Sequence, residues 1–281
     1  MCVYPHRADQ HPECGNRNDR AGEIFPRSAG EREGDVLQAV KSAASGPVQE
    51  GAVGAGTGTT AFSWKGGIGT SSRLVPRKDG TPYTIGVLLQ SNFGGMLSIN
   101  GVPFTREINQ PGVESKTDGS CMIVVATDAP LSDRNLKRLA KRAFNGMART
   151  TNFMANSSGD YAIAFSTAYR IPHNTGGKPV ETPPLIANDD INPLFNAVEE
   201  AVQEAVYNSL FMATTVTGFQ GKKAEAINLE DVVRIMKKYN MLDLGKRLKW
   251  FYYSCEAAID TETEMVLSFL QSSNWMRQTS R

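Results

Sequence analysis

The stretch "TDGSCMIVVATDAP", residues 117–130, decides how the chain is read. Asp118-Gly119-Ser120 is turn chemistry: glycine frees the backbone, and short polar side chains bond to it locally. Cys121 to Asp128 is a nearly continuous apolar run, and such runs predict a strand buried on both faces. A helical pattern follows at Ser132. Leu136, Leu139, Ala140, Ala143, Phe144 and Met147 share one face of it. Lys137, Arg138, Lys141 and Arg142 share the other, which reads as a solvated surface.

Upstream, "YTIGVLLQSN" (83–92) is β-rich, and "MLSINGVPF" (96–104) carries Asn100-Gly101, a type I′ hairpin signal. The glycine-rich "GAVGAGTGTTAFSWKGGIGTSSR" (51–73) invites a phosphate-loop reading. Lys65-Gly66-Gly67 has the wrong order for one, and "AFSW" reads as strand rather than helix, so tight turns and close backbone approach are expected instead. A short helix is predicted at 35–44, capped by Asp35 and stopped by Gly46-Pro47.

Downstream, "DYAIAFSTAY" (160–169) is a further strand, followed by the proline-rich "IPHNTGGKPVETPP". A long helix at 192–213 has an apolar stripe of Leu194, Val198, Ala201, Val202, Ala205, Val206 and Leu210. "LEDVVRIMKKY" closes a last helix near residue 239. Strands, helix, strand, then helices predict a layered α+β fold with helices outside. Residues 1–34 are polar and aperiodic and read as a disordered head. Residues 241–281, with the aromatic cluster "KWFYYSC", do not continue the pattern.

The chain has 281 residues and a formal net charge of +1, so nothing steers it toward nucleic acid or acidic membranes. No apolar run is long enough to span a bilayer, and the first residues lack the apolar region of a signal peptide. The 4 cysteines have no CxxC spacing, and "HPEC" (11–14) has no second ligand pair. A cytoplasmic, reducing location without metal or cofactor is the expectation. Histidines number 3, so a hydrolytic base here is expected not to be histidine.

That scarcity gives Ser120 a second reading beyond a turn serine. A serine hydroxyl can attack the carbonyl before it, and glycine there removes hindrance. The N→O shift makes an ester, which water cuts, leaving a new N-terminal serine. Its α-amine has an ordinary pKa of about 7.7–8 and can serve as base toward its own hydroxyl. A strand directly after Ser120 would hold that nucleophile rigidly.

The segments "GAGTGTTAFSWKGGIGTSSR", "IGVLLQSNFG", "DGSCMIVVATDAPLSDRNLKRLAKRAFNGMART", "SSGDYAIAFSTA" and "NPLFNAVEEAVQEAVYNSL" occur in that order over residues 35–240. Together they resemble the DmpA-type family of L-aminopeptidase/D-Ala-esterase/amidases and β-peptidyl aminopeptidases. The resemblance implies an αββα sandwich like that of N-terminal-nucleophile hydrolases, with different connectivity. It implies self-cleavage between Gly119 and Ser120, into an α-like part (35–119) and a β-like part (120–240) of one domain. Ser120 would be nucleophile and, through its amine, base. Ser158 and Asp160 would align that amine and hydroxyl, and Asn92 would donate to the oxyanion. Substrates would be short peptides, amides or esters, without cofactor, and cleaved pairs would form homo-oligomers.

The family's usual N-terminal section has no match in residues 1–34. That section supplies sandwich strands, an acidic residue for the substrate amine and an aromatic hydroxyl for the oxyanion. A truncated, inactive relative is therefore the alternative expectation. Acyl transfer ranks low, because ornithine acetyltransferases of similar architecture use threonine at the cut.

Overall fold

The computed structural model describes residues 33–241, apart from 45, 47, 78–79, 109–118, 153, 157, 180 and 182. The expectations for the head and tail therefore lie outside the described residues, save for 33–34 and 241. The elements in order are α1 (Glu33–Lys41), β1 (Thr60–Ala61), β2 (Trp64–Lys65), β3 (Ile68–Arg77), β4 (Gly80–Phe93), α2 (Phe104–Ile108) and β5 (Gly119–Thr127). There follow α3 (Asp133–Ala148), β6 (Tyr161–Ser166), α4 (Asn192–Phe211), β7 (Val216–Thr217), β8 (Lys223–Ala224) and α5 (Leu229–Lys238).

The main sheet runs β2-β1-β4-β5-β6, with β3 also paired to β4. Strand β4 is antiparallel to β3 and β5, while β5 and β6 are parallel and joined through α3. A parallel pair needs such a crossover, which explains the helix between two neighbouring strands.

The alternation along the central strands defines two faces. Ile85, Val87 and Leu89 of β4 and Cys121, Ile123 and Val125 of β5 are buried. Helix α4 lies over β3 and β4, and α3 lies over β5 and β6. The whole predicted stripe of α4 is buried. Polar links fix α4 to β3: Ser71 Oγ donates to the Ala201 carbonyl at 2.8 Å and Asn208 Nδ2 to the Thr70 carbonyl at 2.8 Å. Arg73 pairs with Glu204 at 2.5 Å. Gly69, just before Thr70 on β3, admits the α4 backbone directly against the strand.

The opposite face is bare among the described residues. Leu74, Leu88, Met122, Tyr161, Ile163 and Phe165 are exposed there. The expected strand buried on both faces is thus corrected: among the described residues β5 is covered on one face only, and Met122 is 44% exposed on the other. Of the expected sandwich, these residues form one main sheet and the helical layer on one side of it.

Several boundaries also move. Helix α1 begins by Glu33, so Asp35 is inside it rather than its cap, and it ends at Lys41, where Ser42 Oγ caps the Gln38 carbonyl. Asn100 and Gly101 form the predicted two-residue turn, with φ of 48° and 85°. Only a single bridge, Ile99 to Val102, flanks it, not two strands. Strand β6 stops at Ser166, whose hydroxyl bonds the Ala129 carbonyl at 2.6 Å. Helix α3 starts as expected, with Ser132 accepting from the Asn135 N–H. Its basic face is not wholly solvated, since Arg138 and Arg142 lie over the Phe195 ring of α4 at 5.0 and 4.6 Å.

The glycine-rich segment forms a short 3-10 turn (Gly54–Gly56) and then the β1–β2 hairpin, with Phe62-Ser63 as its turn rather than strand. Lys65 is fully buried beneath it. Its ammonium donates to the carbonyls of Gly56 (2.7 Å), Thr59 (2.8 Å) and Gly66. Three N–H donors meet three carbonyls, the arrangement a buried charge needs. Burial still pulls this lysine down to about 8.

Candidate active site

Ser120 lies on the bare face at the start of β5, and its register partner on β4 is Asn92. Side chains so paired on one face of adjacent strands lie within about 4.5–5.5 Å at Cβ. Asn92 makes no side-chain hydrogen bond among the described residues, which leaves its amide open as a donor. On the other side, the parallel β5–β6 register brings Gly159 and Asp160 alongside Ser120 and Cys121.

The Ser120 hydroxyl sits between two backbone groups. Its Oγ donates to the carbonyl oxygen of Gly119 at 2.7 Å. The same Oγ accepts from the Gly159 N–H at 3.2 Å. The hydroxyl is thus held against the carbonyl of the bond on its own N-terminal side. Gly119 itself is packed against β4: a Cβ there would overlap Phe93 Cα and the Asn92 carbonyl oxygen and stand 2.8 Å from Phe93 Cβ. Gly119 opens β5 and is not in a turn, so glycine at this position is a packing requirement of the strand.

Asp160 bonds the Ser158 side chain and the Cys121 backbone N–H. Its Oδ1 is buried without a hydrogen-bond partner. Burial raises its pKa above the usual carboxylate value, against the lowering effect of those two bonds. An unpaired buried carboxylate oxygen is costly and favours a cationic neighbour. The Cys121 thiol is pushed well up by burial and then by the Asp160 charge, which makes it a poor nucleophile.

The structure therefore gathers Asn92, Gly119, Ser120, Ser158 and Asp160 at one end of β4, β5 and β6. Sequence reasoning missed Gly159, whose contribution is a backbone N–H and carries no side-chain signal. It also missed the buried role of Lys65, because a lysine between tryptophan and two glycines reads as surface. The glycine turn above Lys65 reaches the same face, where Gln90 Nε2 donates to the Ala55 carbonyl at 3.2 Å. No helix among the described residues is long and apolar enough to cross a membrane.

Residues 22–224 match the model described as peptidase family S58. A β-peptidyl aminopeptidase, BapA, of Sphingosinicella microcystinivorans is 41% identical over 230 residues, covering 75% of this chain and 57% of that protein. The L-aminopeptidase D-Ala-esterase/amidase of Ochrobactrum anthropi, described as a variant of the Ntn hydrolase fold, superposes with a TM-score of 0.68 at 36% identity. That match covers 74% of this chain and 58% of the other. A Burkholderia β-aminopeptidase gives 0.65 at 36% identity, covering 73% and 58%. The chain spans little more than half the length of the relatives it matches. Its α+β fold is close to the Ntn hydrolase variant of these structures.

Proposed function

Because the chain belongs to peptidase family S58, we propose that it is a self-cleaving serine aminopeptidase that acts on short peptides, amides or esters. The observation that carries this reading is the Ser120 hydroxyl resting 2.7 Å from the Gly119 carbonyl oxygen, with the Gly159 N–H behind it. In the first step Oγ bonds the Gly119 carbonyl carbon, the Gly119–Ser120 C–N bond breaks, and the hydroxyl proton ends on the Ser120 nitrogen. Water then cleaves the ester, freeing the Gly119 carboxylate and the N-terminal Ser120.

In the mature site the Ser120 amine takes the hydroxyl proton as Oγ attacks a substrate carbonyl. Asp160, with its buried unpaired oxygen, favours the ammonium so formed, and Ser158 orients that carboxylate. Asn92 donates to the developing oxyanion. The ammonium proton then passes to the leaving amine, and water releases the acyl group. We assign the work to a cytoplasmic assembly of cleaved pairs. The relatives named above give no support to the inactive alternative.

Intact mass spectrometry of the purified protein beside Ser120→Ala tests the proposal. The wild type should yield two fragments, the second beginning at Ser120, and should release the N-terminal residue of a small amide. A wild type that stays whole and behaves as the variant does overturns it.

A further inference from the structure

The Gly159 N–H touches the reacting oxygen itself, donating to Ser120 Oγ at 3.2 Å. The chain that carries this donor is held on both sides. Ser158 N–H, one residue earlier, donates to the Ala155 carbonyl at 2.8 Å. The Asp160 carboxylate, one residue later, bonds the Ser158 side chain and accepts from the Cys121 N–H on β5. A donor fixed in this way need not reorganise as charge develops in front of it.

Glycine lets the donor come close. A Cβ at position 159 would stand 3.3 Å from Ser120 Oγ and crowd the hydroxyl. Backbone strain does not account for the residue, since its φ is not in the left-handed region.

The charge on Oγ changes at each covalent step of the proposed reaction. It becomes more negative as the hydroxyl proton leaves for the Ser120 nitrogen. It is neutralised as Oγ bonds a carbonyl carbon, and it returns when water displaces Oγ from the ester. A hydrogen bond strengthens when its acceptor is charged. Asn92, across the β4–β5 ladder, is assigned to the carbonyl oxygen under attack. The Gly159 N–H approaches from the other neighbour of β5 and serves Oγ.

Resting on the function proposed above, we infer that Gly159 is a further catalytic residue: its backbone N–H stabilises Ser120 Oγ as nucleophile and as leaving group, in self-cleavage and in turnover alike.

The test exchanges this N–H for an ester oxygen, by incorporating glycolic acid in place of Gly159, which adds no side chain. The same exchange at the exposed Gly177 is the control. Fragment masses over time give the rate of self-cleavage, steady-state kinetics on alanine p-nitroanilide give kcat and KM, and unfolding midpoints verify that both proteins fold. In the Gly159 ester both rates should fall about tenfold, the difference between a hydrogen bond to a charged and to a neutral acceptor, with KM unchanged. The Gly177 ester should match the wild type. A fall no larger than that of the Gly177 ester, a fall in one rate without the other, or a change in KM alone overturns the role of the N–H and leaves the function standing. A wild type that neither matures nor turns over the amide refutes the function and this role together.

Discussion

Replacing Gly69 by alanine tests how the helical layer is held to the sheet. The new Cβ would stand 2.8 Å from the Ser209 nitrogen and 2.9 Å from the Ala205 carbonyl carbon, and would overlap the Ala205 oxygen. All three are backbone atoms of α4, so no side chain can swing aside. Carbon and carbonyl oxygen tolerate each other from roughly 3.3 Å, so this contact must open by about 1.5 Å. A gap beyond about 1 Å forfeits about half or more of each dispersion contact it opens. Val198, Ala201, Val202, Ala205, Val206 and Leu210 of α4 are all fully buried. The expected cost is at the upper end for overpacking, about 3 kcal/mol or more.

Gly86, on the adjacent strand, supplies the control. A Cβ there meets only the Ala126 carbonyl oxygen, at 4.0 Å, on the bare face. Neither glycine has a left-handed φ, so backbone strain is absent from both. Gly86→Ala should be neutral or stabilise by about 0.4–1 kcal/mol through the unfolded chain. Urea melts of both variants, read at the midpoint with the slope compared, measure the difference. If Gly69→Ala melts within about 1 kcal/mol of Gly86→Ala, the close approach of α4 does not hold the layers as argued.

Two further outcomes follow from the site and the lysine beneath it. Asn92→Ala should still fold and should lower kcat by about 10²–10³-fold, as loss of one oxyanion donor does elsewhere; steady-state kinetics on a small amide measures it. Lys65 titrates at about 8 in the fold and at about 10.4 unfolded. Between those values the unfolded chain holds a proton that the folded chain has released. Stability should therefore rise with pH across the window, by up to about 3 kcal/mol, and Lys65→Met should lack the rise in parallel melts.

The strand after Ser120 and the two helices that cover the sheet were legible because their apolar periods are strong. Which face of β5 is covered was not legible, because Met122 and Val124 are as apolar as Cys121, Ile123 and Val125. Alternation cannot be read where both faces carry hydrophobic side chains. The pairing of Asn92 with Ser120 depends on the β4–β5 register, which joins segments 28 residues apart through a connection whose length fixes nothing. The motif "SSGD" pointed to Ser158 and Asp160 by resemblance, but the donor that touches Ser120 Oγ is the backbone between them. Lys65 illustrates the same limit: its partners are three carbonyls, and carbonyls are identical in every residue.

The Gly119–Ser120 bond lies inside β5, opposite Phe93 and Asn92, and not in a loop beyond the sheet. A cut there would leave β1 to β4 on one piece and β5, β6 and the helices α3 to α5 on the other. Neither piece would own a complete core, because the ladder from Ile85↔Thr127 to Asn92↔Ser120 would become the seam between them. Maturation would turn a monomer's interior into the interface of an obligate heterodimer without moving a strand. Its cohesion would then depend on dilution, as that of any two-chain assembly does.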